Sequence, residues 1–122
     1  IISRYVLFLI YTGDIEKALN ELKRAIRLDP FSHDLLYAEQ GICYYWLKDY
    51  SSAIESFRKV KLIRNNLFYL SACYFEKGDV KKGNELLKEA EATTGLSSDN
   101  FIDSQSYTKS EMIDSLRLSF KR

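Results

Sequence analysis

One phrase recurs three times in this chain of 122 residues: an acidic residue, a large apolar residue, a small residue three positions on, and a large apolar residue four further. It reads Asp14-Ile15…Ala18…Leu22, then Asp49-Tyr50…Ala53…Phe57, then Asp79-Val80…Gly83…Leu87. Spacing by three and four puts the small and large residues on one helix face. A short helical unit cannot bury such a face alone, so recurrence means that copies stack on one another. The phrase predicts an all-α array of helical hairpins instead of one closed core.

Local signals divide the array. The periodicity predicts seven helices, near residues 1–12, 14–28, 33–47, 50–63, 66–77, 80–93 and 109–121. Asp14, Asp49 and Asp79 each precede an apolar-periodic run, where a carboxylate can accept hydrogen bonds from the orphan amides of the next helix. Gly13 and Gly78 fall at tight turns inside hairpins, where a residue without Cβ adopts positive φ at no steric cost. Pro30 ends the second helix, and Ser32 is placed to cap the third. Ala18, Ala25, Gly41, Ala53, Gly83 and Ala90 are expected at helix crossings, with Leu22, Phe57 and Leu87 filling the space beside them. Ala18 and Ala53 lie 35 residues apart, Ala53 and Gly83 only 30, so the second hairpin loses about a turn near Asn65-Asn66. The last hairpin is expected to pack at a different angle.

Composition excludes several classes of function. The net charge is +1, and Lys23-Arg24, Lys81-Lys82 and Lys121-Arg122 sit among Glu and Asp. That balance argues against a nucleic-acid binder, which concentrates positive charge on one surface. The longest apolar run, Tyr5 to Tyr11, is much too short to span a membrane. Cys43 and Cys73, thirty residues apart at equivalent places in two hairpins, have neither metal nor redox spacing. They read as buried, reduced thiols, the usage of a cytoplasmic protein. His33 is the only histidine and has no nucleophile pattern near it. The three aspartates recur once per unit, as caps do, and no glycine-rich phosphate loop is present. No catalytic residue, metal site or cofactor is expected.

These residues resemble the tetratricopeptide repeat, a helix-turn-helix unit of 34 residues. The second repeat carries Tyr37, Gly41, Tyr44, Tyr50, Ala53 and Phe57 at the signature spacing. The first carries Gly13, Ala18, Leu22, Ala25 and the closing Pro30; the third carries Leu67, Tyr74, Gly78, Gly83, Leu87 and Ala90. The third departs by its short connection and by Gly where Ala is usual. The resemblance implies a right-handed α-α superhelix of three repeats, over residues 1–30, 33–64 and 66–94. It also implies a non-enzymatic adaptor, whose first helices line a concave groove that receives a peptide or helix of a partner protein.

Carried over position by position, the groove takes Ser3, Leu7, Ile10 and Tyr11 from the first repeat. It takes Leu35, Ala38, Ile42, Tyr45 and Trp46 from the second, and Asn65, Phe68, Ala72 and Phe75 from the third. Some members of the family clamp a C-terminal carboxylate with Lys, Arg and Asn at such sites, but these positions are mostly apolar here. Leu7, Tyr11, Ala38, Ile42, Tyr45, Trp46, Phe68, Ala72 and Phe75 are therefore the candidate partner-binding residues, and they suit an amphipathic helix or apolar peptide.

Beyond Thr94 the repeat pattern stops. Residues 95–107 are polar and turn-rich apart from Phe101-Ile102, and read as a linker. Thr108-Lys109-Ser110-Glu111 spells a capping box, opening an amphipathic helix over 108–122 with Met112, Ile113, Leu116 and Phe120 on one stripe. This helix is expected to cap the open end of the stack; the alternative is that it, or Phe101-Ile102, folds into the groove. The tail also looks weakly like the end of the repeat region in bacterial class III adenylate cyclases and winged-helix regulators. That likeness implies a regulatory or self-assembly segment of a larger protein, with the groove filled by its own tail. The first helix is apolar on nearly every side. The expectation is that the chain is a fragment with a helix before Ile1, or that the same surface makes a homodimer contact.

Overall fold

The computed structural model describes residues 2–29, 34–60 and 66–121. Among these the chain forms eight helices: α1 (Ile2–Tyr11), α2 (Ile15–Leu28), α3 (Asp34–Trp46), α4 (Tyr50–Arg58), α5 (Asn66–Glu76), α6 (Val80–Thr94), α7 (Ser98–Ser104) and α8 (Ser110–Ser119). The order is three antiparallel hairpins, α1–α2, α3–α4 and α5–α6, followed by two short helices. α1 packs on α3 and α3 on α5, so the first helices of the hairpins share one face. His33, Ser32, Pro30 and Asn65, with the short connection inferred between the second and third hairpins, lie outside the described residues.

The three intra-hairpin turns are copies of one structure. Asp14 N–H donates to Leu9 O at 2.8 Å and Gly13 N–H to Ile10 O at 3.0 Å. Asp49 and Lys48 repeat the pair on Tyr44 O and Tyr45 O, and Asp79 and Gly78 on Tyr74 O and Phe75 O. This is the Schellman arrangement, which satisfies the last carbonyls of a helix and needs a left-handed residue at its corner. Gly13 (φ 89°) and Gly78 (φ 87°) supply it as expected, and Lys48 (φ 64°) holds the same conformation with a Cβ. The aspartate that follows caps the second helix in two of the three hairpins. Asp49 accepts from Ser52 N–H and Asp79 from Lys82 N–H, whereas Asp14 makes no such bond.

The crossings fall where the small residues are. Ala18, Ala53 and Ala90 are fully buried, beside the buried Leu22 and Phe57. A Cβ at Gly41 would stand 2.8 Å from the Phe57 ring, and one at Gly83 would stand 2.6 Å from the Phe75 ring. Those glycines let an aromatic ring approach the opposite helix backbone more closely than a Cβ would allow. Ala25 and Leu87 are only half-buried at the margin.

Two expectations for the tail need correction. Residues 98–104, read as part of a linker, form α7, with Ser97 Oγ accepting from Asn100 N–H at 3.1 Å. The capping box does not form. α8 starts at Ser110 behind Lys109, with no side-chain cap. Thr108 instead gives its N–H (3.0 Å) and its hydroxyl (3.2 Å) to Tyr11 O at the end of α1. The Tyr11 carbonyl across the fold has taken the Thr108 N–H that the Glu111 carboxylate would receive in a capping box.

Candidate partner-binding groove

The face shared by α1, α3 and α5 carries a cluster of aromatic side chains. The helical period puts Tyr11 at the end of α1, Tyr45 and Trp46 at the end of α3, and Phe68, Tyr69 and Phe75 along α5. Residues 97–121 lie against this face. Phe101 stacks on Phe68 with ring centroids 4.4 Å apart and planes 11° from parallel, and it meets Tyr69 edge-on. Phe120 stands edge-on to Phe68 and Phe75. Tyr107 sits edge-on to Tyr11 at 5.0 Å and to Trp46 at 5.1 Å. Phe101, Ile102, Tyr107 and Leu116 are all buried as a result.

Polar groups on this face are joined in two chains. Trp46 Nε1–H, which can only donate, reaches Tyr107 Oη at 2.8 Å. Tyr107 Oη and Tyr69 Oη are 2.7 Å apart, and Tyr69 donates to Gln105 Oε1 at 2.8 Å. Each phenol has one proton, so the order runs Trp46 to Tyr107 to Tyr69 to Gln105. Tyr11 Oη adds a longer contact of 3.4 Å to the same amide oxygen. In the second chain Ser119 Oγ donates to Glu76 Oε2 at 2.7 Å and receives the Tyr45 hydroxyl at 2.6 Å. Burial pushes the Tyr45, Tyr69 and Tyr107 phenols well above their ordinary range, so they remain protonated donors. Among the described residues no buried side-chain nitrogen or oxygen lacks a partner.

A buried carboxyl, Glu39 on α3, underlies the α1 end of the face. It accepts from Ser3 Oγ at 2.6 and 3.2 Å. Removal from water raises it from 4.5 to about 7, and the Ser3 hydrogen bond opposes that rise. Further along α3 and on α5, burial pushes the free Cys43 and Cys73 thiols up to about 12.

The residues assigned to the groove divide into three groups. Tyr11, Tyr45, Trp46 and Phe68 meet side chains of the tail directly. Phe75 is shared, one side packed on the Gly83 backbone and an edge turned to Phe120. Ala38, Ile42 and Ala72 are buried on α3 and α5, Leu7 is half-buried on α1, and Ile10 is fully buried. Leu35 is exposed. Glu39, Tyr69, Glu76, Gln105, Tyr107 and Ser119 were not singled out from the sequence. Tyr107, a lone ring in a polar stretch, and Tyr69, outside the repeat signature, were the available signals.

Residues 4–32 and residues 39–62 each match a sequence model of the tetratricopeptide repeat. Residues 4–62 therefore carry tetratricopeptide repeats. No curated protein and no solved structure matches it. Tetratricopeptide repeats generally mediate protein–protein interaction and are typically non-catalytic. Among the described residues no three His, Cys, Asp or Glu side chains converge on a metal position, and no helix is long and apolar enough to cross a membrane.

Proposed function

We propose that this chain is a protein-interaction scaffold of the regulatory kind. Its binding surface is the face of α1, α3 and α5, including Leu7, Tyr11, Ala38, Ile42, Tyr45, Trp46, Phe68, Ala72 and Phe75, and its own tail holds that surface closed. The ligand class is a peptide or short helix that competes with the tail for the aromatic groove. The observation that carries this reading is the seat of Tyr107. Its hydroxyl lies between Trp46, 61 residues away in sequence, and Tyr69, 38 residues away. A helix that merely capped the end of the stack would cover the last hairpin alone. The tail instead reaches α1, α3 and α5 in turn, as a groove ligand does.

Loosening the tail tests the reading. Phe101→Ala removes the ring stacked on Phe68 and leaves the repeats untouched. Binding of an apolar surface dye should rise several-fold over the wild-type chain while the far-ultraviolet circular dichroism stays the same. Equal dye binding by both chains, with the same helix content, would overturn the closed-groove reading.

A further inference from the structure

We infer that residues 97–121 are an exchangeable ligand, and that the partner taking their place in the groove is the same segment of a second copy of this chain. The inference rests on the closed-groove reading above and adds to it the identity of the competitor.

Three features carry it. First, the two tail helices are joined to each other as well as to the groove: Arg117 Nε lies 3.5 Å from Asp99 Oδ1 and Arg117 Nη2 lies 3.3 Å from Asp103 Oδ1. Second, it is joined to the repeats at one conformational corner. Gly95 ends α6 at φ 74°, its N–H bonded to Glu91 O, with only Leu96 before the Ser97 cap of α7. A Cβ at Gly95 would meet nothing within 4 Å, so a substitution there acts through backbone conformation and not through a clash. Third, the groove is selective. It takes a ring on Phe68, an acceptor for Tyr69, a phenol for Trp46 and Tyr69, and a hydroxyl for Tyr45 and Glu76. Phe101, Gln105, Tyr107 and Ser119 meet those demands together. A purely apolar helix would strand the buried Tyr45 and Tyr69 hydroxyls, which selects against it.

A second copy offers the complete set at the right spacing. Exchange is reciprocal, each chain filling the other's groove, and it closes on itself as a twofold dimer. Both states contain identical groove contacts. The monomer is favoured by the high effective concentration of a tethered tail, and strain introduced at the Gly95 corner by a residue with Cβ shifts the balance toward the dimer.

Complementation between two variants tests this, with the single tryptophan as reporter. A Trp46→Phe chain is silent under selective tryptophan excitation and carries an intact tail. A Tyr107→Ala chain keeps Trp46 but lacks the phenol that accepts its N–H, so its emission should shift from that of the wild type. Mixing the two at concentrations approaching about 1 mM, the effective concentration of a short tether, should return the emission to the wild-type position. Gly95→Ala in both chains strains the closed turn and should make that return occur at about tenfold lower concentration. Should Tyr107→Ala not fold, Tyr107→Phe removes the same acceptor and keeps the ring. An emission unaltered by the Tyr107 change in the unmixed chain would overturn the closed-groove reading itself. A shifted emission that mixing does not restore would overturn the exchange alone, even if light scattering found a dimer made through another surface, such as exposed Tyr5 and Phe8 on α1.

Discussion

Glu39 is the residue at which this fold is most exposed to its solution conditions. The folded chain holds the carboxyl in a buried site where it titrates near 7, against an ordinary 4.5. Between those values the folded state keeps a proton that the unfolded state releases. The stabilisation is therefore complete below about 4.5 and is lost as the pH rises through about 7, amounting to about 3 kcal/mol by linkage. Glu39→Gln preserves an acceptor for Ser3 and abolishes the titration. Urea unfolding of both chains across this range should show wild-type stability declining relative to the variant as the pH rises. Parallel curves would mean that the carboxyl is already ionised in the fold. No spacing in the sequence announces this site, because Ser3 and Glu39 lie 36 residues apart and meet only when α1 lies beside α3.

At the scale of elements, the hairpin turns were legible because everything they require lies within six consecutive residues. Gly13 and Gly78 adopt the left-handed corner, and Asp49 and Asp79 cap the next helix, as expected. The middle hairpin breaks its own rule by placing exposed Lys48 at the same corner. A residue with Cβ is strained there by roughly 1–2 kcal/mol, partly offset by the lower unfolded-state entropy of a non-glycine chain. Lys48→Gly should therefore stabilise the protein by about 0.5–1 kcal/mol, read as a raised midpoint of urea denaturation at unchanged slope. A fall in the midpoint would show that the Lys48 side chain supports the α3–α4 hairpin more than its backbone strains it. The tail elements were less legible. α7 is two turns built around one apolar pair, too short for helical periodicity to stand out. Thr108 carries a valid local capping signal that is overridden by the Tyr11 carbonyl 97 residues away.

At the scale of the whole molecule, the described chain is a stack of hairpins with residues 97–121 folded onto the face of α1, α3 and α5. α5 is the most enclosed helix, with Phe68, Tyr69, Ser71, Ala72 and Cys73 essentially without solvent contact between α4, α6, α8 and the tail. The tail is joined at a single glycine corner and is held by buried Phe101, Ile102 and Leu116 together with hydroxyl bonds. Native-state hydrogen exchange should find α7 and α8 opening at a lower free energy than α5, as a separate cooperative unit. Exchange of both at the same free energy would make the molecule one unit, leaving the tail no independent motion.

The sequence by itself determined the helical class, the three hairpins, their turns and their crossings. Each of these is written in contacts between residues a few positions apart, or in a small residue that any neighbouring helix must find. Only the tertiary structure decided which aromatic side chains meet and what lies on the face of α1, α3 and α5. With nine Tyr, seven Phe and one Trp in the chain, many pairings satisfy the same apolar pattern. The choice among them falls to the few donors and acceptors that burial obliges to pair. Tyr107 lies where it does because the Trp46 N–H and the buried Tyr69 hydroxyl, far from it in sequence, both bond its phenol.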